Sequence, residues 1–138
     1  MDVKNLRAKD VMQTDVKTIR KDATLSEAAK EMMNGGVSSL VVEPEGDWDA
    51  FGIITRKDIV EAFIDDPSGK QSHSVEDVMS KPAITVNAAL SVRNCHFLMR
   101  TVSIRRLPVL DGNKLVGIIS NSDIFQKLVK GKIRMQKE

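Results

Sequence analysis

Cysteine, aromatics and long apolar runs are all scarce in this chain. It has one cysteine, no tyrosine, a single tryptophan and four phenylalanines, so aromatics make up 4% of 138 residues. A lone Cys95 excludes an intramolecular disulfide and a cysteine-cluster metal site. So few aromatics argue against a stacking platform for single-stranded nucleic acid, and leave the core to Ile, Val, Leu, Met and Ala. The longest apolar runs, such as Val109-Leu110, Leu115-Val116 and Ile118-Ile119, are strand-sized and too short to span a bilayer. No signal-like hydrophobic segment is visible, so a reduced cytoplasmic compartment is expected. Neither charge sign dominates: 21 basic against 19 acidic residues give a net +2, which by itself points to neither nucleic acid nor a membrane surface. With 41% hydrophobic and 29% charged residues the chain can build a core under a soluble surface.

The sequence does contain a repeat. Asp10-Val11-Met12 falls on Asp77-Val78-Met79, a shift of 67 that also matches Thr18-Ile19 with Thr85-Val86, Leu25 with Val92 and Met32 with Met99. It continues through Val37 with Ile104 and Leu40-Val41-Val42 with Leu107-Pro108-Val109. Beyond the next loop the shift becomes 65, where Gly52-Ile53-Ile54-Thr55 meets Gly117-Ile118-Ile119-Ser120 and Asp58-Ile59 meets Asp123-Ile124. A single change of loop length is what a duplicated folding unit shows, because loops accept insertions and packed elements do not.

Periodicity gives the elements of each copy. Val16 to Ile19 and Ala83 to Val86 read as short strands. Thr24 opens a helix, with Glu27 completing a T-x-x-E capping box, and Leu25, Ala28, Ala29, Met32 and Met33 lie on one helical face. Gly35-Gly36 ends it. In the second copy Ser91 is the cap and Val92, Cys95, Met99 and Val102 form the stripe. Leu40 to Val42 and Phe51 to Ile54 are strands around the polar turn Glu43 to Ala50; Leu107 to Leu110 and Leu115 to Ile119 repeat them around Asp111-Gly112-Asn113. Further helices are expected from Arg56 to Ile64 and from Asn121 to Val129. Each copy is thus β-α-β-β-α, an α/β (α+β) fold. The copies span 6–64 and 75–129, with a Pro/Gly-bearing linker at 65–74 and a basic C-terminal tail at 130–138. A unit this small buries too little surface to stand well alone, so the copies are expected to pack with pseudo-twofold symmetry.

The strand-to-helix turns Thr55-Arg56-Lys57-Asp58 and Ser120-Asn121-Ser122-Asp123 carry the candidate chemistry. A hydroxyl at a helix start can bind phosphate beside free backbone N–H groups. A carboxylate one turn on can accept from two vicinal ribose hydroxyls. The competing reading is an ordinary helix cap, since an acid at the third helical position bonds back to the cap N–H.

The ordered set D-V-M, strand, capped helix, L-[VP]-V, turn, G-I-I-[TS]-x-x-D-I, present twice, resembles the CBS domain pair, or Bateman module, over about Leu6 to Phe125. The resemblance implies a non-catalytic regulatory module holding AMP, ADP, ATP or S-adenosylmethionine in the cleft between the repeats, frequent pairing of modules into a homodimer, and an unknown regulated protein. It also implies shared pockets: Ser120 and Asp123 with Val16, Lys17, Val37, Ser38 and Ser39; and Thr55, Arg56 and Asp58 with Ala83, Ile84, Ile104, Arg105 and Arg106. The matching aspartates hold ribose, Val37 and Ile104 flank adenine, and Arg105-Arg106 match a phosphate-facing basic pair; the alternative for that pair is a solvated surface position. Val41 departs from the family's usual proline, and the first copy's longer turn carries Trp48, expected to pack on its own loop, the alternative being an exposed side chain that covers ligand or a partner.

Cys95 reads as a small core residue, and neither His73 nor His96 has partners at metal-ligand spacing. No nucleophile, base and oxyanion arrangement is visible. CBS pairs also occur inserted in IMP dehydrogenases, but 138 residues leave no room for that barrel. The alternative function is a protein or nucleic-acid interaction module using Lys127, Lys130, Lys132, Arg134 and Lys137, which otherwise form a solvated helix end.

Overall fold

The computed structural model describes residues 3–68 and 73–137, with side chains described for 4–68 and 73–131. Gly69 to Ser72 of the expected linker, the side chains of Lys132, Arg134 and Lys137, and Glu138 lie outside the described residues. The chain divides into a continuous unit, Lys17–Ala83, and a split unit that joins Met1–Val16 to Ile84–Glu138.

In the continuous unit, β1 (Thr18–Ile19) pairs parallel with β2 (Ser39–Val42), which pairs antiparallel with β3 (Gly52–Thr55). Helix α2 (Leu25–Gly35) connects β1 to β2, as a parallel crossover requires. Glu27 N–H donates to Thr24 Oγ1, confirming the cap, and Gly36 takes the left-handed conformation (φ 63°) that ends the helix. Leu25, Ala28 and Met32 pack with Ile19, Leu40, Val42, Ile54 and Val75, and with Ile59 of α3 (Arg56–Asp65). The split unit repeats the plan. Its sheet runs β4 (Val86–Asn87), β5 (Arg106–Asp111), β6 (Lys114–Ser120), with α5 (Val92–Thr101) as crossover. Cys95 is fully buried there, as expected, and burial pushes its thiol pKa up.

Three features differ from the sequence reading. The D-V-M segments, to which the sequence reading assigns no element, lie in one-turn helices, α1 (Ala8–Val11) and α4 (Val75–Val78), in which Asp10 and Asp77 accept from the backbone N–H of Arg7 and Ser74. Helix α6 runs through Gly131 to Lys137 rather than stopping at Val129. Trp48 lies over Gly46, as loop packing requires, yet is 78% exposed.

The α1 and α4 segments also explain two glycines. Gln13 bridges Ile118 on the edge strand β6, and Ser80 bridges Ile53 on the edge strand β3. Met12 then lies over Gly117 and Met79 over Gly52. A Cβ at 117 would meet the Met12 sulfur and stand 2.9 Å from the Gln13 carbonyl oxygen; one at 52 would stand 2.9 Å from the Met79 sulfur but 3.2 Å from the Ser80 carbonyl oxygen. A flexible sulfur can yield where backbone cannot, so position 117 is the stricter.

The β2–β3 loop, longer than its counterpart, is held by charge. Thr18 Oγ1 donates to Glu43 at 2.8 Å, Lys21 pairs with Glu45 at 3.0 Å, and Lys81 pairs with the nearly buried Asp49 at 2.6 Å. Asp49 also accepts from the Glu45 N–H. The Lys81 hydrogen bond, then that backbone bond, lower its pKa to about 2 from 3.8.

Two outcomes follow in urea denaturation. Gly117→Ala destabilises the chain by about 1–3 kcal/mol, the usual range for overpacking, and Gly52→Ala by less. Because the Asp49 pKa is depressed in the folded state, its contribution is complete above the unfolded value of 3.8 and is lost as pH falls towards 2. Asp49→Asn therefore lowers the midpoint at pH 6, and its deficit against the parent narrows below pH 4.

Candidate functional site

Each unit presents one strand-to-helix turn. In the continuous unit, Thr55 ends β3 in extended conformation (φ −115°, ψ 164°) and α3 begins at Arg56. Thr55 N–H donates to Asp58 Oδ2 at 2.8 Å, and Asp58 N–H donates to Thr55 Oγ1 at 3.2 Å. Ser39 stands opposite Thr55 in the ladder, and Arg56 N–H donates to the Ser38 carbonyl at 2.9 Å. Val37, Ser38 and Ser39 therefore run beside the turn. Ser39 is buried; Val37 is half-buried against the core. Lys17 carbonyl accepts from Val41 N–H, and its side chain crosses Gly35; Ala83 N–H donates to the Phe51 carbonyl.

The split unit repeats this with more contacts. Ser120 N–H and Oγ both donate to Asp123 Oδ2, at 2.9 and 2.8 Å, and Asp123 N–H returns a 3.2 Å bond to Ser120 Oγ. Gln13 Nε2 donates to Asp123 Oδ1 at 3.0 Å. Arg106 stands opposite Ser120, and Asn121 N–H donates to the Arg105 carbonyl at 3.4 Å. Thus the basic pair lies at the same ladder end as Ser120, while Ser38-Ser39 holds that place beside Thr55. Arg105 is exposed, Ile104 half-buried against the core, Val16 half-buried and Ile84 exposed. His96 Nδ1 is 3.1 Å from Asn121 Oδ1, so an imidazole touches the first residue of α6.

Both aspartates are therefore helix-cap partners, and a ligand must use what capping leaves. An ionised carboxylate offers about four acceptor positions. Asp58 spends one on the Thr55 N–H, keeping enough for two adjacent hydroxyls. At these helix starts the N–H groups of Thr55, Arg56 and Asp58, and of Ser120, Asn121 and Asp123, already donate, which leaves those of Lys57 and Ser122 to favour an anion. A ribose diol and a phosphate thus fit the donor and acceptor set. No group of three or more His, Cys, Asp or Glu among the described residues is placed to hold a metal. Among the described residues no helix is long and apolar enough to cross a membrane.

Sequence reasoning missed Gln13. Its partner Asp123 is far along the chain, and the one visible signal was a mismatch: the position after D-V-M is Gln13 in the first copy and Ser80 in the second.

The model of the CBS domain matches residues 8–65 and 75–130. An uncharacterized protein of Methanopyrus kandleri is 36% identical over 85% of this chain, which spans 60% of that relative's length. A hexameric CBS-CP12 protein from bloom-forming cyanobacteria superposes with a TM-score of 0.80 at 38% identity, over 87% of this chain and 66% of that one. The CBS domain pair of protein MJ0100, solved with 5′-methylthioadenosine and S-adenosyl-L-methionine, superposes with a TM-score of 0.75 at 26% identity, over 91% of this chain and 97% of that one.

Thr55 Oγ1 and Ser120 Oγ each satisfy an N–H of the first helical turn. Thr55→Ala and Ser120→Ala are each expected to lower stability by about 1 kcal/mol, read from urea midpoints. Ser120→Ala also frees one acceptor position on Asp123.

Proposed function

We propose that this chain, which belongs to the CBS domain family, is a non-catalytic sensor binding an adenosyl ligand at its two strand-to-helix turns. The ligand class is AMP, ADP, ATP or S-adenosylmethionine, and the response passes to a regulated protein or to a second copy of the module. One observation carries the reading: a half-buried carboxylate at the third position of α3 and of α6, hydrogen-bonded to its own turn with acceptor positions to spare. The ligands bound by the MJ0100 pair support the same class. Asp58 and Asp123 hold the sugar, and Thr55 and Ser120 with the adjoining N–H groups face phosphate or its replacement. Arg105 and Arg106, grouped by the resemblance with Thr55, Arg56 and Asp58, bias the site that they join towards a phosphate-bearing ligand.

A thermal-shift panel of AMP, ADP, ATP, S-adenosylmethionine and methylthioadenosine tests this, run beside salt-dependent DNA and RNA binding. A ligand at a hundred times its dissociation constant stabilises the fold by about 2.7 kcal/mol. Asp58→Asn and Asp123→Asn keep an acceptor for the cap while removing charge, so each is expected to weaken binding without unfolding its helix. Arg106→Ala is expected to weaken AMP more than adenosine; equal losses contradict a phosphate role. No shift with any adenosyl ligand, together with salt-sensitive nucleic-acid binding, would transfer the function to the basic end of α6.

A further inference from the structure

The geometry points to Gln13 as a specificity-determining residue that makes the two turns unequal in reading a ribose. The inference rests on the adenosyl reading above and adds to it. Asp123 accepts three hydrogen bonds, from Ser120 N–H, Ser120 Oγ and Gln13 Nε2. Of about four acceptor positions on a carboxylate, one is left, whereas a cis-diol presents two donors. Asp58 accepts one bond, from Thr55 N–H, and has no further partner among the described residues. Its turn can take both hydroxyls; the Asp123 turn takes one unless Gln13 withdraws.

The difference lies in one side chain, not in the backbone. Gln13 and Ser80 occupy equivalent places, each exchanging two main-chain hydrogen bonds with the edge strand, Gln13 with Ile118 and Ser80 with Ile53, at 2.8–3.0 Å. A glutamine amide set there reaches the carboxylate of its unit, as Gln13 does; a serine hydroxyl is two heavy atoms shorter and makes no bond to Asp58. Both side chains are exposed, so exchanging them leaves the core and the bridging backbone bonds intact. The Asp58 turn is thus the strict ribose reader. The Asp123 turn tolerates a sugar lacking one hydroxyl.

The test compares AMP with 2′-deoxy-AMP by isothermal titration. In an Asp123→Asn chain, where the Asp58 turn dominates, AMP is expected to bind about tenfold more tightly than the deoxynucleotide, the value of one hydrogen bond to a charged group. In an Asp58→Asn chain the preference falls below about threefold. Adding Gln13→Ser to that chain raises it towards tenfold, and adding Ser80→Gln to the Asp123→Asn chain lowers it. A merely structural role for Gln13 would change both affinities together and leave their ratio alone. An unchanged ratio in both Gln13→Ser and Ser80→Gln overturns this inference and leaves the adenosyl reading standing. Failure of every adenosyl ligand of the panel to bind the parent chain, or undiminished AMP binding with both aspartates replaced, overturns the adenosyl reading and this inference with it.

Discussion

The fold depends on closing the open edge of each small sheet. A three-stranded sheet leaves unpaired main-chain groups on its outer strand, and such an edge invites wrong partners. Here one residue after each D-V-M motif supplies the missing pairing: Gln13 to β6 and Ser80 to β3. Closing the edge brings the preceding methionine across the strand, and the strand makes room with Gly117 or Gly52. The aspartate two residues before that methionine caps the one-turn helix delivering it. Motifs that look separate in the sequence are therefore two faces of one contact.

That contact also sets up the turns. Strand β3 or β6 runs from its glycine to the hydroxyl residue that caps the next helix, so the position of the edge fixes the position of the cap. Asp58 and Asp123 serve local structure first, as the reciprocal bonds to Thr55 and Ser120 show. Such an arrangement suits the proposed sensor role. A carboxylate already held at its own turn loses little side-chain freedom when a sugar arrives.

Much of this was legible in the sequence. The repeat, the caps at Thr24 and Ser91 and both crossover helices came from local pattern, because caps and amphipathic stripes depend on residues three or four apart. Strand ends shifted by up to three residues, β1 starting at Thr18 against the expected Val16 and β4 at Val86 against Ala83, since both are only two residues long and held by their neighbours. Helix α6 passed the expected stop at Val129 and ran on through Gly131, because glycine inside a helix costs only about 1 kcal/mol and does not forbid continuation. Two things had no local signal. One was the company kept by α1 and α4; the other was the reach of Gln13 to Asp123. Both join segments distant in sequence, which pattern reading cannot pair.

The assignment of α1 to the split unit has a consequence for synthesis. Every residue of the continuous unit's core, from Ile19 to Val75, lies in one uninterrupted stretch. Once that stretch has left the ribosome, it holds all its own packing partners. Ala8 and Val11 are made before that stretch, whereas their companions Val92, Cys95, Leu107 and Ile119 are made after it. At the usual pace of about 5–20 residues per second, the α1 segment is made several seconds before the residues that bury it. The continuous unit can therefore complete its core while α1 still lacks its own partners.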